Sequence, residues 1–286
     1  MAADPSSVDW AAARRASYRL RQTFRYEYAE PITDLNHRLI VIPPARFGDQ
    51  RRVYHDLLVE LNEVRMQDRQ DQFGNFVVDV FAPGVPRAIE FTAEVSVERS
   101  ASEPNVIAGG WPAEGWLLEP TALTAPDQRI QAEAEMFATR AAWGLPLADR
   151  INDWVYQSMT YRHEVTGVRT TAAEALALGA GVCQDYAHVM LATCRACGLP
   201  ARYVSGHMIG QGGTHAWVEV VLPDEGGRDA IAWPFDPTHA SRAGLGYLTI
   251  AVGRDYADVA PTSGTYRSGG AGRLTTSKQV TLTDLE

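Results

Sequence analysis

Three short stretches carry side chains able to do covalent chemistry: Gly181-Val-Cys183-Gln-Asp185, Thr214-His215-Ala-Trp217-Val-Glu219 and Phe235-Asp236-Pro237-Thr238. Attack on an amide needs a thiolate, a base that later protonates the leaving amine, and a group that orients that base. Cys183, His215 and Asp236 can fill those three roles. Cys183 follows a glycine-rich turn and opens a predicted helix that runs to about Cys197, with Gly198 and Pro200 as its stop. The first N–H groups of a helix lack intrahelical partners and, together with the dipole, favour an anion; thiolate is the nucleophilic form of cysteine. Alternation puts His215, Trp217 and Glu219 on one face of a predicted strand, and Asp236 ends the strand after it. Two neighbouring strands can present the imidazole and the carboxylate side by side, facing the start of the cysteine helix.

Other residues near these motifs have plainer readings. Asp185 is expected to bond the glycine-rich turn rather than to react. Trp217 reads either as a wall over the thiol or as core packing, and Glu219 as a solvated or salt-bridged group. Trp154 and Tyr161 precede the nucleophile, and either could help to stabilise an oxyanion beside the Cys183 N–H. Cys194 and Cys197 have redox spacing, but they lie at the end of a helix, whereas a redox pair opens one, so they read as core. A zinc site would need further ligands at matching spacing. His188 reads as packing, His207 and His239 as candidates for a site rim, and His37, His55 and His163 carry no argument for function.

Elements of two kinds must hold these residues. From Ser17 the chain alternates: Tyr18, Leu20, Gln22, Phe24, Tyr26 and Tyr28 share one side, and further strands are predicted over Leu35–Ile42, Val53–Leu61, Phe76–Phe81 and Ala88–Val97. Strands at this spacing with turn residues between them predict a β-sandwich-like domain over residues 17–102. After a Gly-, Pro- and Trp-rich connector the period becomes helical, with helices from Pro126 to about Thr139 and over Leu147–Met159. Thr171-Ala-Ala-Glu174 is a capping box opening a short helix that ends at Gly179. Strands return over Ala201–Met208, His215–Leu222, Ala230–Phe235, Tyr247–Val252 and Arg273–Leu285, with a loop at Gly253–Pro261. The expected organisation is α+β, with a catalytic domain over residues 103–286 that includes the C-terminal strands.

The chain has 286 residues, 45% hydrophobic and 21% charged, with a net charge of −9, as in an ordinary globular protein. Such acidity argues against nucleic acid and anionic membrane as partners. Of 26 basic residues one is a lysine, Lys278, which fits arginine-biased coding and would also limit self-modification by an acyl-transfer enzyme. Three cysteines are too few for a disulfide scaffold, and no apolar run is long enough for a membrane span, so a cytoplasmic location is expected.

The motifs in combination resemble the transglutaminase-like superfamily, most closely its bacterial branch with an N-terminal β-domain. The matching text is Gly-Val-Cys-Gln-Asp-Tyr-Ala-His from Gly181, Gly-Leu-Pro-Ala-Arg-Tyr-Val-Ser-Gly from Gly198, His-Ala-Trp-Val-Glu-Val from His215 and Phe-Asp-Pro-Thr from Phe235. Gly253–Val259 and Gly264–Arg267 are similar to that branch as well. The resemblance implies a papain-like fold, in which a helix bearing Cys183 packs on an antiparallel sheet bearing His215 and Asp236. It implies a Cys-His-Asp triad that attacks a carboxamide or peptide carbonyl of a peptide or protein substrate and forms a thioester, resolved by water or by an amine. Asp185, Trp217 and Tyr161 would then support the site or bind substrate. No cofactor and no metal are expected, since Asp255 and Asp258 lack the spacing of a calcium loop. Two rivals are a catalytically silent peptide-binding module of the same fold and a thiol–disulfide protein using Cys194 and Cys197.

Overall fold

Along Arg15–Glu27 buried and exposed positions alternate, so Ala16, Tyr18, Leu20, Gln22 and Phe24 turn to one side and the chain runs as a long strand, β1. The computed structural model describes residues 8–101, 105–111, 113–210, 213–267 and 270–286. After β1 come β2 (Ile32–Leu39), β3 (Arg46–Phe47), β4 (Gln50–Glu60), β5 (Arg65–Gln70), β6 (Phe76–Val85) and β7 (Ala88–Ser100). A helical stretch follows: β8 (Val106–Ile107), α1 (Gln128–Arg140), α2 (Leu145–Ser158), β9 (Thr160–Tyr161), α3 (Ala172–Leu178), β10 (Ala180–Gly181) and α4 (Cys183–Ala196). The chain ends through β11 (Ala201–Met208), β12 (His215–Pro223), β13 (Ala230–Phe235), β14 (Tyr247–Gly253), the single-turn α5 (Tyr256–Val259), β15 (Thr262–Arg267) and β16 (Arg273–Leu285).

Among the described residues, two antiparallel sheets, ordered β16-β1-β7-β4-β3 and β15-β2-β6-β5, lay their apolar faces on one core. Across it His37 of β2 stacks on Phe91 of β7 with ring centroids 4.8 Å apart. Burial alone lowers His37 to about 4, so it sits in the core as a neutral ring. The sandwich is completed from the far end of the chain. β16 runs along the free edge of β1, with Lys278 opposite Gln22, and β15 runs along β2. Both strands fall within residues 103–286, the range that the sequence assigns to the second domain, and both pair with N-terminal strands. Periodicity identifies a strand but not its partner, and the edges of β1 and β2 present backbone groups that need pairing. The boundary expected at 102–103 falls outside the described residues.

The catalytic sheet has the order β14-β11-β12-β13-β8. Helix α4 lies against β11 and β12, and α1, α2 and α3 pack around it. Every residue of α4 from Asp185 to Arg195 is buried, as expected of a helix surrounded on all sides. Arg195 is tolerated there because its guanidinium donates to the carbonyls of Leu117, Ala201 and Arg254 and to the Thr124 hydroxyl. On β12, Ala216, Val218 and Val220 join the core under α4, while Trp217 turns to the sandwich side with Phe47 and Phe73. The edge strand β14 is closed by two buried amides from the sandwich. Gln50 pairs with the N–H and C=O of Thr249 at 2.9 and 2.8 Å, and Asn75 with those of Val252 at 2.8 and 2.7 Å. Each imitates a neighbouring strand, which leaves no bare edge at those positions.

The short helix α3 carries the predicted capping box. Thr171 Oγ1 accepts from Glu174 N at 3.2 Å, and Glu174 accepts from Thr171 N at 2.9 Å. Gly179 ends α3 with φ of 63°, the left-handed conformation that favours glycine. Sequence patterning misses β5, whose six residues are all exposed, and α5, where the sequence suggests only a loop. β5 has no alternation to detect because it is an outer strand held by its backbone pairing with β6.

Candidate active site

The turn before Cys183 is held by Asp185. Its Oδ2 accepts from Val182 N at 2.8 Å and from Thr166 Oγ1 at 2.6 Å, so the carboxylate reaches back over the helix start. Val182 has no side-chain acceptor, so only this returning half of a capping box exists. Gly181 is required beneath it: a Cβ there would lie 2.5 Å from Asp185 Oδ2. Asp185 is fully buried and does not line the cleft. The result is a half-buried Cys183 fixed at the first position of α4.

His215, the first residue of β12, reaches toward that thiol. Its Nε2 lies 2.7 Å from Asp236 Oδ2, and the imidazole and the Cys183 thiol line the same cleft, near enough for Cys183 to act on the ring. Burial opposes charge on the imidazole, but the hydrogen bonds to Asp236 and Cys183 and the charges of both outweigh it and raise His215 to about 9. Asp236 is completely buried at the end of β13. Oδ2 also accepts from His239 Nδ1 and Tyr247 OH, each at 2.7 Å, and Oδ1 accepts from Thr238 N at 2.9 Å. Burial alone would raise this carboxyl, yet the bonds from His215 and His239, the charge of His215 and the bond from Tyr247 hold it well below the usual carboxylate range. The ligand atoms of His215, Asp236 and His239 lie within 4.8 Å of one another, a closeness that these hydrogen bonds account for.

Cys183 and His215 open into a cleft of about 1130 Å³. Tyr161, on β9, lines it and is largely exposed. Burial first, and then the charges of Cys183 and Asp236, raise its phenol, which stays a hydrogen-bond donor. Trp154 packs edge-on against Phe137, with centroids 5.7 Å apart, and does not line the cleft. Trp217 is not a wall over the thiol. It stacks beside His215 at 6.3 Å and lines a separate cavity of about 260 Å³ with Phe47, Asn105 and Glu219. Glu219 is buried in an ion pair with Arg202, at 2.6 Å. His207 is buried away from the cleft, while His239 and His163 line it. Tyr247 was not marked by any motif, and His239 only as a rim candidate; the signal for His239 is its place three residues after Asp236, on the turn that Asp236 itself ties. Cys194 and Cys197 are both pushed up by burial, Cys197 to about 11, which does not suit a redox pair.

Residues 135–236 match the Transglutaminase-like superfamily, and residues 18–98 match the Bacterial transglutaminase-like N-terminal region. An uncharacterized protein of Mycobacterium tuberculosis is 29% identical over 92% of this chain and 91% of its own length. One from Mycobacterium leprae is 28% identical over 90% of this chain and 95% of its own. Among solved structures, a candidate cysteine protease from Cytophaga hutchinsonii aligns with a TM-score of 0.76 at 22% identity, covering 95% of this chain and 92% of that one. The periplasmic domain of TgpA from Pseudomonas aeruginosa also matches, at a TM-score of 0.42 and 16% identity, over 84% of this chain and 93% of that one. The cytoplasmic location expected from three sparse cysteines is withdrawn: a nucleophilic thiol has to stay free in any compartment, so free cysteines do not mark one. Among the described residues no helix is long and apolar enough to cross a membrane. The fold is α+β: residues 18–98 form a bacterial transglutaminase-like N-terminal region that is rich in β-strands, and residues 135–236 lie in a papain-like core of the transglutaminase-like superfamily.

Proposed function

We propose that the protein is a cysteine-dependent enzyme acting on a carboxamide or peptide bond through a thioester, with Cys183 as nucleophile, His215 as base and acid, and Asp236 as the carboxylate that orients His215. The observation that carries this is the position of His215, held by a buried Asp236 on one ring nitrogen and turned to Cys183 at the opening of the cleft. An imidazole raised to about 9 is protonated at neutral pH, which suits a resting thiolate–imidazolium pair.

In the first half-reaction the Cys183 sulfur attacks the carbonyl carbon, and a C–S bond forms. The carbonyl oxygen gains negative charge, for which the Cys183 backbone N–H and the Tyr161 hydroxyl are the donors at hand. His215 gives its proton to the leaving nitrogen, the C–N bond breaks, and an amine leaves. In the second half, His215 takes a proton from water or from an acceptor amine as it attacks the thioester, the C–S bond breaks, and the acid or new amide is released. The open cleft is large enough for a peptide or protein segment. The test is Cys183→Ala: thioester formation and turnover should vanish with the thermal unfolding midpoint retained. Full turnover in that variant would refute the mechanism.

A further inference from the structure

Lys278 is the one lysine among 26 lysines and arginines, and it lies in the wall of the Cys183 cleft. It is carried there by β16, the strand that returns from the end of the chain to pair with β1, and Thr276 of the same strand lines the cleft beside it. No aspartate or glutamate lines this cleft among the described residues; the other polar side chains there are tyrosine, threonine, serine, glutamine and histidine. In a chain of net charge −9, Lys278 thus brings an ammonium to a cleft that no carboxylate lines among the described residues. Everywhere else the chain uses arginine for a cation. A compact ammonium on a flexible stem, rather than a planar fork, is kept at this position alone.

We propose that Lys278 anchors a carboxylate of the acyl donor, so that the preferred substrates are amides or peptides with a free carboxylate near the bond that Cys183 attacks. This rests on the assignment of Cys183 as nucleophile. The ammonium is partly withdrawn from water, its pKa is lowered by burial, and the one charge acting to restore it is that of Cys183. A cation in that state gains most from an arriving anion, because the cleft already strips part of its hydration. It also explains a use for the β-sandwich: its outer strand supplies one wall of the site and the charge on it.

The test compares alkylation by iodoacetate and by iodoacetamide. Both form the same C–S bond to Cys183 with loss of iodide, and they differ in carrying a carboxylate or a neutral amide. The ratio of the two rates is measured in wild type, Lys278→Met and Lys278→Arg, with Cys183→Ala as the blank. The imidazolium of His215 attracts the anion in all of them and cancels. The ratio should fall roughly tenfold in Lys278→Met and be largely kept in Lys278→Arg. Lys278→Gln gives the same reading should Lys278→Met fail to fold. A ratio unchanged by removing the charge overturns the anchor and leaves the nucleophile assignment standing. A wild-type thiol that iodoacetamide labels no faster than free cysteine overturns both.

Discussion

Asp236 accepts four hydrogen bonds inside the protein, from His215, His239, Tyr247 and Thr238, and that set decides how the imidazole behaves. Asp236→Asn keeps the shape but removes the charge, and kcat/KM should fall about 10³–10⁴-fold, read by steady-state kinetics. Stability should respond with a definite sign. His215 is raised from 6.5 to about 9, so its contribution is complete below pH 6.5 and is lost as the pH rises toward 9. Asp236 is lowered from 3.8, so its contribution is present above that value and is lost as the pH falls below it. The difference in unfolding midpoint between wild type and Asp236→Asn should therefore be largest between about pH 4 and 6.5 and shrink on either side. Tyr161→Phe, which deletes only the hydroxyl, should lower kcat about 10²-fold or more with KM little changed, if that group holds the oxyanion. At this scale Cys183, His215 and Asp236 stand out in the sequence as candidates, because short motifs combine residue type with local spacing. The sequence leaves Trp217 open between a wall over the thiol and core packing and gives no sign of Tyr247: the face of a strand can be read from alternation, but what packs on that face cannot.

The elements that carry the chemistry are set by local rules at their ends. Helix α4 begins where Gly181 lets Asp185 close over Val182, and α3 begins at a complete capping box. Thr171→Ala should cost about 1 kcal/mol in a denaturant titration and leave catalysis intact. Caps, glycine stops and helical periodicity are written in adjacent residues, so these helices could be located from sequence to within a few positions. The strands at the margins were less legible. β5 is exposed throughout and β15 is mostly exposed, so neither shows the period that burial imposes.

The whole molecule is threaded so that its first and last strands lie side by side, with the catalytic segment between them in sequence. That pairing is long-range and leaves no local trace in the sequence, so periodicity finds the last strand but not the sheet that it joins. The two parts are also joined by side chains. Asn75→Ala would leave the N–H and C=O of Val252 without their buried partner and should destabilise the protein by about 2–4 kcal/mol. Because Gln50 and Asn75 of the sandwich pair with β14, unfolding should be a single transition, and fluorescence and circular dichroism should give coincident curves. The proposed chemistry turns on one sulfur being made reactive by one imidazole. The direct measurement is peptide mapping by mass spectrometry after exposure to 4-nitrophenyl acetate and an acid quench. One acetyl group on Cys183 in wild type, greatly slowed in His215→Ala, is the predicted result; an unmodified Cys183, or equal acetylation without His215, would contradict it.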